Sequence, residues 1–227
     1  MKRQLAHVMW LGGTPAAGKT TIAKLLAQKY ELEVYHRDQH DACHAARAIA
    51  GPGYPISKYF DGLSAEERWI QQTVHDNVVQ GMEVAQERVG MVNEDILAFP
   101  SDLPILVEGI GFYPRQLFPY LSDADQALWL IADRAFSEAV WTTRRETGQV
   151  PILNGTSDPE TAWHHILERN SLLAHYIQEQ ADSLGLTAMC IDRMRTLEYD
   201  VAAVETFFHF RLSQSTCPRS VPPGRAG

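Results

Sequence analysis

The sequence predicts an α/β protein built around a parallel β-sheet. Short apolar runs of strand length alternate along the chain with longer segments whose apolar residues recur every three or four positions. Such alternation favours a parallel sheet covered by helices, because parallel strands need a crossover connection between them. The predicted strands are residues 5–11, 32–36, 104–108, 126–131 and 187–191, and helices are expected in the gaps.

A glycine-rich segment follows the first predicted strand. Residues 13–20, with the sequence GTPAAGKT, match the pattern G-x-x-x-x-G-K-[ST] at every fixed position. An apolar run precedes the segment, and Ile22, Leu25 and Leu26 then recur at helical spacing. The alternative is a turn that happens to precede a lysine, and the strand and helix on either side argue against it.

The residue types in this segment suit a triphosphate. Gly13 and Gly18 let successive backbone N–H groups turn into one concavity, and the helix beginning at Gly18 adds its positive dipole end. Lys19 can reach the β- and γ-phosphates, Thr20 can ligate Mg²⁺, and Thr21 can donate to a further oxygen. The predicted phosphate-binding residues are therefore Gly13, Thr14, Pro15, Ala16, Ala17, Gly18, Lys19, Thr20 and Thr21.

Two acidic side chains end neighbouring predicted strands. Asp38 follows strand 32–36 and Glu108 ends strand 104–108, so both are expected at the sheet edge that carries the glycine-rich loop. Asp38 could orient and deprotonate a hydroxyl as it attacks phosphorus, or it could cap the next helix. Asp41 is a second candidate for the base. Glu108 could instead accept hydrogen bonds from loop N–H groups.

The helices have recognisable beginnings. A helix is predicted from Gln39 to about Ala50, followed by breakers at 51–55. Ser64 and Glu67 form a capping box before a long helix whose apolar stripe runs from residue 70 to 96, with a break near Gly90. Asp158 and Pro159 are typical of another helix start. A last helix is expected to end near residue 212, and residues 213–227, rich in Ser, Pro and Gly, are predicted to be disordered.

Several arginines follow the fourth predicted strand. Arg144 and Arg145 begin a polar, glycine- and proline-broken segment, and Arg134 and Arg169 lie on the helices before and after it. Guanidinium groups on a closing segment stabilise the charge that develops in phosphoryl transfer. The alternative is that these side chains lie on solvated helix faces.

Composition limits the class of protein. The 227 residues are expected to form one domain, and the net charge of -8 argues against a nucleic-acid-binding surface. Cys43, Cys190 and Cys217 form neither a disulfide framework nor a paired metal motif. No signal-type segment or apolar run of membrane-spanning length is found. We expect a cytoplasmic protein that acts without nucleic acid or membrane; its oligomeric state stays open.

Two side-chain clusters have alternative interpretations. His36, His40, Cys43 and His44 have a spacing that could gather Zn²⁺ on one helix face, but no second ligand cluster accompanies them. They are more simply explained as lining a cavity or the surface. An aromatic group could hold a ring-bearing ligand or pack in the core; it comprises Tyr54, Tyr59, Phe60, Trp69, Phe112 and Tyr113.

The N-terminal loop, the Asp after strand two and the arginine-bearing segment together resemble the small P-loop kinases over residues 5–212. These include nucleoside and nucleotide kinases, gluconate kinase, chloramphenicol phosphotransferase and zeta-toxin-like kinases. The resemblance implies a three-layer P-loop NTPase fold with sheet order 2-3-1-4-5, using ATP and Mg²⁺. It also implies a kinase domain over 1–212 with an acceptor-binding helical region at about 51–100 and a lid at about 144–160.

Carried onto this chain, the resemblance implies a role for each candidate residue. Lys19, Asp38, Arg144 and Arg145 become catalytic, and Arg169 joins the loop in binding ATP. Thr20 and Glu108 become the Mg²⁺ residues, Glu108 through water, although Asp is more usual there. We therefore expect an ATP-dependent kinase acting on a hydroxyl of a small-molecule acceptor.

Other functions remain open or are disfavoured. The alternatives are a nucleoside monophosphate kinase and an ATP-binding module without transferase activity. A GTPase would need an N-K-x-D sequence, which the chain lacks. A nucleic-acid 5′-hydroxyl kinase is disfavoured by the acidic composition.

Overall fold

Five parallel strands form one sheet in the order β2-β3-β1-β4-β5, as predicted. The protein is represented by a computed structural model that describes residues 2–100 and 104–213. The strands are β1 (Val8–Gly13), β2 (Glu33–His36), β3 (Ile105–Glu108), β4 (Ala127–Ala132) and β5 (Thr187–Ile191). Because β2, β3 and β1 are neighbours and run parallel, the segments that follow these three strands meet at one sheet edge.

Helices cover both faces of the sheet in the described residues. They are α1 (Lys19–Tyr30), α2 (Asp41–Ala50), α3 (Pro55–Gly62), α4 (Val74–Leu97), α5 (Pro114–Leu117), α6 (Arg134–Glu146), α7 (Pro159–Leu184), α8 (Leu197–Phe207) and α9 (His209–Ser213). Shorter helical turns lie at Lys2–Leu5, Arg37–His40, Glu67–Gln71 and Pro151–Gly155. The predicted three-layer α/β class is confirmed.

Alternate side chains of each strand enter two separate cores. Trp10, Val107 and Trp129 face the core formed with α4, α5 and α7. Leu11, Leu106 and Leu128 face the other core, which α1, α8 and α9 complete. The central strand β1 is buried along its whole length, so burial on both faces explains why it is an uninterrupted apolar run.

The last two residues of β1 must be glycines for steric reasons. A Cβ on Gly12 would lie 2.5 Å from the Phe112 carbonyl oxygen and 2.7 Å from Nε1 of Trp129. That indole N–H donates to the same carbonyl at 2.7 Å. A Cβ on Gly13 would lie 2.0 Å from the Leu130 carbonyl oxygen. The backbone can therefore take this path out of the sheet only if neither residue has a side chain.

Several predicted boundaries were wrong. The first strand begins at Val8 rather than residue 5, because Lys2–Leu5 form a 3₁₀ turn. The capping box exists, with the Ser64 amide donating to Glu67 at 2.8 Å and the Glu67 amide to Ser64 Oγ at 3.2 Å. It caps only the π-helical turn Glu67–Gln71.

The long predicted helix is divided where this turn ends. Thr73 is extended, with φ near -70° and ψ near 154°, and its side chain accepts from the Asp76 amide to begin α4. No break occurs at Gly90, since α4 continues to Leu97. The last helix is also divided, at Phe208. Asp158 caps α7 as predicted, accepting from the Thr161 amide at 3.0 Å.

The predicted disordered tail, residues 213–227, lies outside the described residues except for Ser213, which ends α9. Across 2–100 and 104–213, none of the helices combines the length and apolar character needed to cross a bilayer.

Two glycine-to-alanine substitutions should change stability in opposite directions. Gly12→Ala should lower the free energy of unfolding by roughly 1–3 kcal/mol, because its Cβ meets backbone and a buried indole. Gly90→Ala should raise the free energy of unfolding by about 0.5–1 kcal/mol, because Gly90 lies inside α4 and an added Cβ would meet no neighbouring side chain or element. Urea denaturation measures both, and a Gly12→Ala protein as stable as wild type would contradict the packing described.

Candidate functional site

The glycine-rich loop, residues 13–20, adopts a backbone that turns its amides toward one side. Gly13, Ala16 and Gly18 have φ values of 127°, 67° and 75°. Positive φ is uncommon for alanine and marks a conformation that its surroundings enforce. Residues that alternate between left- and right-handed backbone conformations direct successive N–H groups into a concavity that binds anions. The local geometry is therefore that of an anion site.

Helix α1 begins at this loop without a protein cap. Its N-cap Gly18 provides no side-chain hydrogen bond. In the described part of the chain, the amides of residues 16–21 donate to no protein acceptor. Helix N-terminal amides normally find a side chain, water or ligand. Six such groups at one place suit a multiply charged anion.

Lys19 lies over the loop in a buried position. Its Nζ donates to the Thr14 carbonyl oxygen at 2.6 Å and lies 3.4 Å from that of Gly13. Burial lowers the pKa of Lys19 to about 8; the charges of Asp38 and Glu108 oppose this shift and Arg144 adds to it. Charges from the β2, β3 and α6 segments therefore act on one ammonium group. A bound anion would relieve the desolvation of that ammonium.

Glu108 links the loop to the end of β2. Its Oε1 and Oε2 each lie 3.1 Å from Thr20 Oγ1, which donates to them, and His36 Nδ1 lies 2.6 Å from Oε1. Glu108 is only 2% exposed. The alternative of bonding to loop amides does not hold, because its partners are these two side chains. The predicted pair Thr20 and Glu108 is brought together.

Asp38 caps no helix. The N-cap of α2 is His40, without a side-chain bond, and Asp38 Oδ1 instead accepts from the Ile110 amide at 3.1 Å. Arg37, which is buried, donates to the Ile110 carbonyl at 2.6 Å and pairs with Asp41 at 3.1 Å. Asp38 is therefore held by the loop after β3 while its carboxylate stays exposed.

Gly109 and Gly111 make room for Arg37 rather than for a ligand. A Cβ on Gly109 would lie 2.7 Å from Cβ of Arg37, and one on Gly111 would lie 3.2 Å from its Cζ. Both glycines have positive φ. The neighbour that requires both glycines is therefore the Arg37 side chain.

A first cavity of about 520 Å³ lies beside the loop. Residues 15–21, Asp38 and Arg169 border it, together with Trp69, Trp141 and Arg144. The indole N–H groups of Trp69 and Trp141 have no partner within the described residues. A concave, part-apolar cavity with convergent charged groups is the usual form of a small-molecule site.

Only one of the two adjacent lid arginines reaches this cavity. Arg144 borders it, with its Cζ 5.1 Å from the Trp141 ring centroid. Arg145 pairs with Glu160 at 3.1 Å through Nη1 and lies over Trp163. The structure thus places Arg144 in the site and Arg145 outside it. Arg134 is exposed and pairs with Glu138 along its own helix.

The predicted lid segment packs against the turn that precedes α4. Ser157 donates from its amide and its hydroxyl to Glu66, each at 2.7 Å. A small core of Val150, Leu153 and Trp163 packs against Trp69 and Ile70. These contacts join the segment after α6 to the turn before α4. Residues 149–152 of that segment and Trp69 of that turn both border the first cavity.

A second cavity of about 600 Å³ adjoins the first. The two share Asp38, Phe60, Arg68, Ile110 and Arg169. Helices α2, α3 and α4 provide much of the remaining wall. The predicted acceptor-binding region, about 51–100, therefore contributes directly to a cavity beside Asp38.

Sequence reasoning missed three arginines that line the second cavity: Arg37, Arg68 and Arg88. None of the three belongs to a recognisable sequence motif. The one local signal concerns Arg37: the Gly109-x-Gly111 spacing indicates that a large side chain packs against the loop after β3. His36 was also missed as a partner of Glu108.

The histidine group does not form a metal site. His36 contacts Glu108, His40 stacks on Tyr35 at 4.3 Å, and His44 contacts Asp95 at 2.7 Å. Across the described residues, no group of three or more His, Cys, Asp or Glu side chains is arranged to hold a metal ion. Of the aromatic group, Phe112 is a core residue, Tyr113 is buried and borders the second cavity, and Phe60 and Trp69 border the first cavity.

Comparison with known proteins gives little guidance. No family model matches the chain, and no curated protein matches it. Among solved structures, it is similar to the crystal structure of an uncharacterized protein from Eubacterium ventriosum ATCC 27560, with 11% identity and a TM-score of 0.40. That alignment covers 89% of this chain and 98% of the other. A likeness at this level identifies neither a family nor an activity.

Proposed function

We propose that the protein is a phosphotransferase that moves the γ-phosphoryl group of ATP to a hydroxyl of a small-molecule acceptor. The observation that carries the proposal is the common wall of the two cavities. One cavity borders the glycine-rich loop, the other borders the α2–α4 region, and the exposed carboxylate of Asp38 lines both. A base between a donor site and an acceptor site is the arrangement that phosphoryl transfer needs.

The donor side is supported by the loop and the start of α1, by Lys19 and by Arg144. The amides of residues 16–21, which have no acceptor among the described residues, offer hydrogen bonds to phosphate oxygens, and α1 adds its dipole. Lys19, now donating to the loop carbonyls, would turn its ammonium to the β- and γ-phosphates. Arg144, which already influences the pKa of Lys19, would face the transferring group.

The reaction proposed here requires one proton transfer. Asp38 accepts the proton of the acceptor hydroxyl while that oxygen forms a bond to the γ-phosphorus. The bond between the γ-phosphorus and the β–γ bridging oxygen breaks, and ADP leaves with the electron pair. Because the Ile110 amide holds Asp38 Oδ1, the carboxylate keeps its direction toward the common wall.

Thr20 and Glu108 fit a role in holding Mg²⁺. Hydroxyl and carboxylate oxygens are the donors that this cation prefers, and it takes most other ligands from water and phosphate. Bound there, Mg²⁺ would neutralise charge on the phosphates. His36 would orient Glu108, and the Thr20–Glu108 contact holds the hydroxyl and the carboxylate next to each other.

Binding of Mg-ATP is the first test. Wild type should bind Mg-ATP by calorimetry, and Lys19→Ala should weaken binding about tenfold or more, because an ammonium contact to phosphate is lost. Lys24→Ala is the matched control, an exposed lysine on the same helix. Equal affinity of Lys19→Ala and wild type would contradict the donor site.

Asp38→Asn should leave Mg-ATP affinity within about twofold of wild type but lower kcat by ~10²-fold or more, since an amide cannot accept the proton. The measurement is ADP release during an acceptor screen over sugars, sugar acids, nucleosides and antibiotics. Asp41→Asn is the comparison. If Asp41→Asn abolished turnover and Asp38→Asn did not, the base would be Asp41.

The adjacent arginines should differ in their effect on turnover. Arg144→Ala should lower kcat by about 10²-fold, because a positive charge is removed from the transferring group. Arg145→Ala should keep kcat within about twofold, because an exposed ion pair contributes little. Steady-state kinetics of both variants decide the point, and equal losses would contradict the assignment of Arg144 alone.

A further inference from the structure

The second cavity has an unusual charge for this protein. Its wall carries four arginines, Arg37, Arg68, Arg88 and Arg169, and three aspartates, Asp38, Asp41 and Asp61. The chain as a whole has a net charge of -8. One of the three carboxylates, Asp38, already has the role of receiving a proton in the proposed function. With four guanidinium groups against three carboxylates, the wall of this cavity carries an excess of one positive charge.

The four arginines differ in how far the protein itself satisfies them. Arg37 contacts the Ile110 carbonyl and both Asp38 and Asp41. Its donors are therefore satisfied by the protein itself, and its role is structural. Arg88 is 5% exposed and pairs with Asp61 through one terminal nitrogen. Its buried Nε has no partner in the described part of the chain. Arg88 thus retains unused donors beside the cavity.

Arg68 and Arg169 have no carboxylate partner within the described residues. Arg68 contacts the Phe60 carbonyl and stacks at 4.0 Å over the Phe60 ring, while its Nε is buried and unpaired. Arg169 donates from Nε to Asn77 at 2.8 Å. Taking a charge out of water without a counter-ion is costly. Two half-buried charges without a counter-ion at the junction of two cavities indicate that a ligand supplies the negative charge.

The cavity also has room for a ligand between these arginines. Gly81, Ala85, Ala42 and Ala45 line the stretches of α4 and α2 that face it. Small side chains on adjacent helices leave a gap rather than filling it. The guanidinium groups therefore border open space, and a carboxylate or phosphate can be bound by their planar donors.

We propose that the phosphoryl acceptor is an anion: a hydroxyl compound that also carries a carboxylate or phosphate, bound in the second cavity by Arg88 and Arg68, with Arg169 at the junction. The proposal rests on the proposed function, because it names the class of acceptor for the same site. The anionic group anchors the acceptor at the α3–α4 side, and its hydroxyl faces Asp38.

The test uses matched acceptor pairs that differ by one charged group. Sugar acids are compared with sugar alcohols of the same length, and sugar phosphates and nucleotides with their parent sugars and nucleosides, by ADP release. The anionic member should have a kcat/KM at least about tenfold higher. The acid and phosphate arms tell which oxyanion is preferred. Neutral members that react as well as their anionic partners would overturn the proposal.

Variants assign this preference to Arg88. Arg88→Gln should raise KM for the anionic acceptor by about tenfold to a hundredfold and remove the preference over the neutral partner. Arg134 is exposed and paired within its own helix, so the control variant Arg134→Gln should keep the preference for the anionic acceptor. Asp61→Asn should lower KM, because it frees Arg88 from a competing carboxylate. Arg88→Gln lowering kcat/KM equally for both members of a pair would overturn the proposal.

A binding experiment separates this inference from the proposed function. Without nucleotide, the anionic acceptors should raise the melting temperature of Lys19→Ala, but not that of Lys19→Ala combined with Arg88→Gln. Lys19→Ala combined with Arg88→Lys keeps the positive charge and should retain part of the shift. If no compound is phosphorylated but these shifts occur, the transferase fails and the anion site stands. If no anion shifts the Lys19→Ala protein, the anion site fails.

Discussion

The exit of the chain from the central strand depends on steric contact at Gly12 and Gly13. Neither position has space for a Cβ, because the carbonyls of Phe112 and Leu130 lie within 2.5 Å of where one would be. The Thr14 amide then donates to the Leu130 carbonyl at 2.9 Å. This hydrogen bond fixes the start of the loop to β4. The loop amides that follow are therefore held together at the sheet edge.

The strand order brings the other candidate groups to this loop. Because β3 lies between β1 and β2, Glu108 at its end can contact Thr20 on one side and His36 on the other. The loop after β3 continues over Arg37 and holds Asp38 through the Ile110 amide. Residues separated by about seventy positions along the chain therefore form one edge, as open parallel sheets typically arrange their ligand sites.

Short-range features were predictable from the sequence and long-range ones were not. The five strands, the glycine-rich loop and the Asp158 cap each follow from a few adjacent residues. The Thr73 cap was missed because an apolar stripe continues in register across it, and the period of the pattern cannot reveal a break in the backbone. Arg37 and Arg88 were missed because their partners, Ile110 and Asp61, are distant in sequence or on another helix. The difference between Arg144 and Arg145 likewise depends on Glu160.

The arginines of the second cavity show how structural and ligand-directed charges can be distinguished. A buried guanidinium group needs acceptors for its donors, and Arg37 finds them in a carbonyl and two carboxylates of the protein. Arg68 and Arg88 each have a buried Nε that finds no acceptor among the residues that the structure describes. Replacing a satisfied arginine lowers stability because its partners lose their donors, whereas an unsatisfied arginine adds a desolvation cost that the folded protein alone does not recover. The unsatisfied arginines are therefore those for which a bound anion provides the missing acceptors, and they border the same space as Asp38.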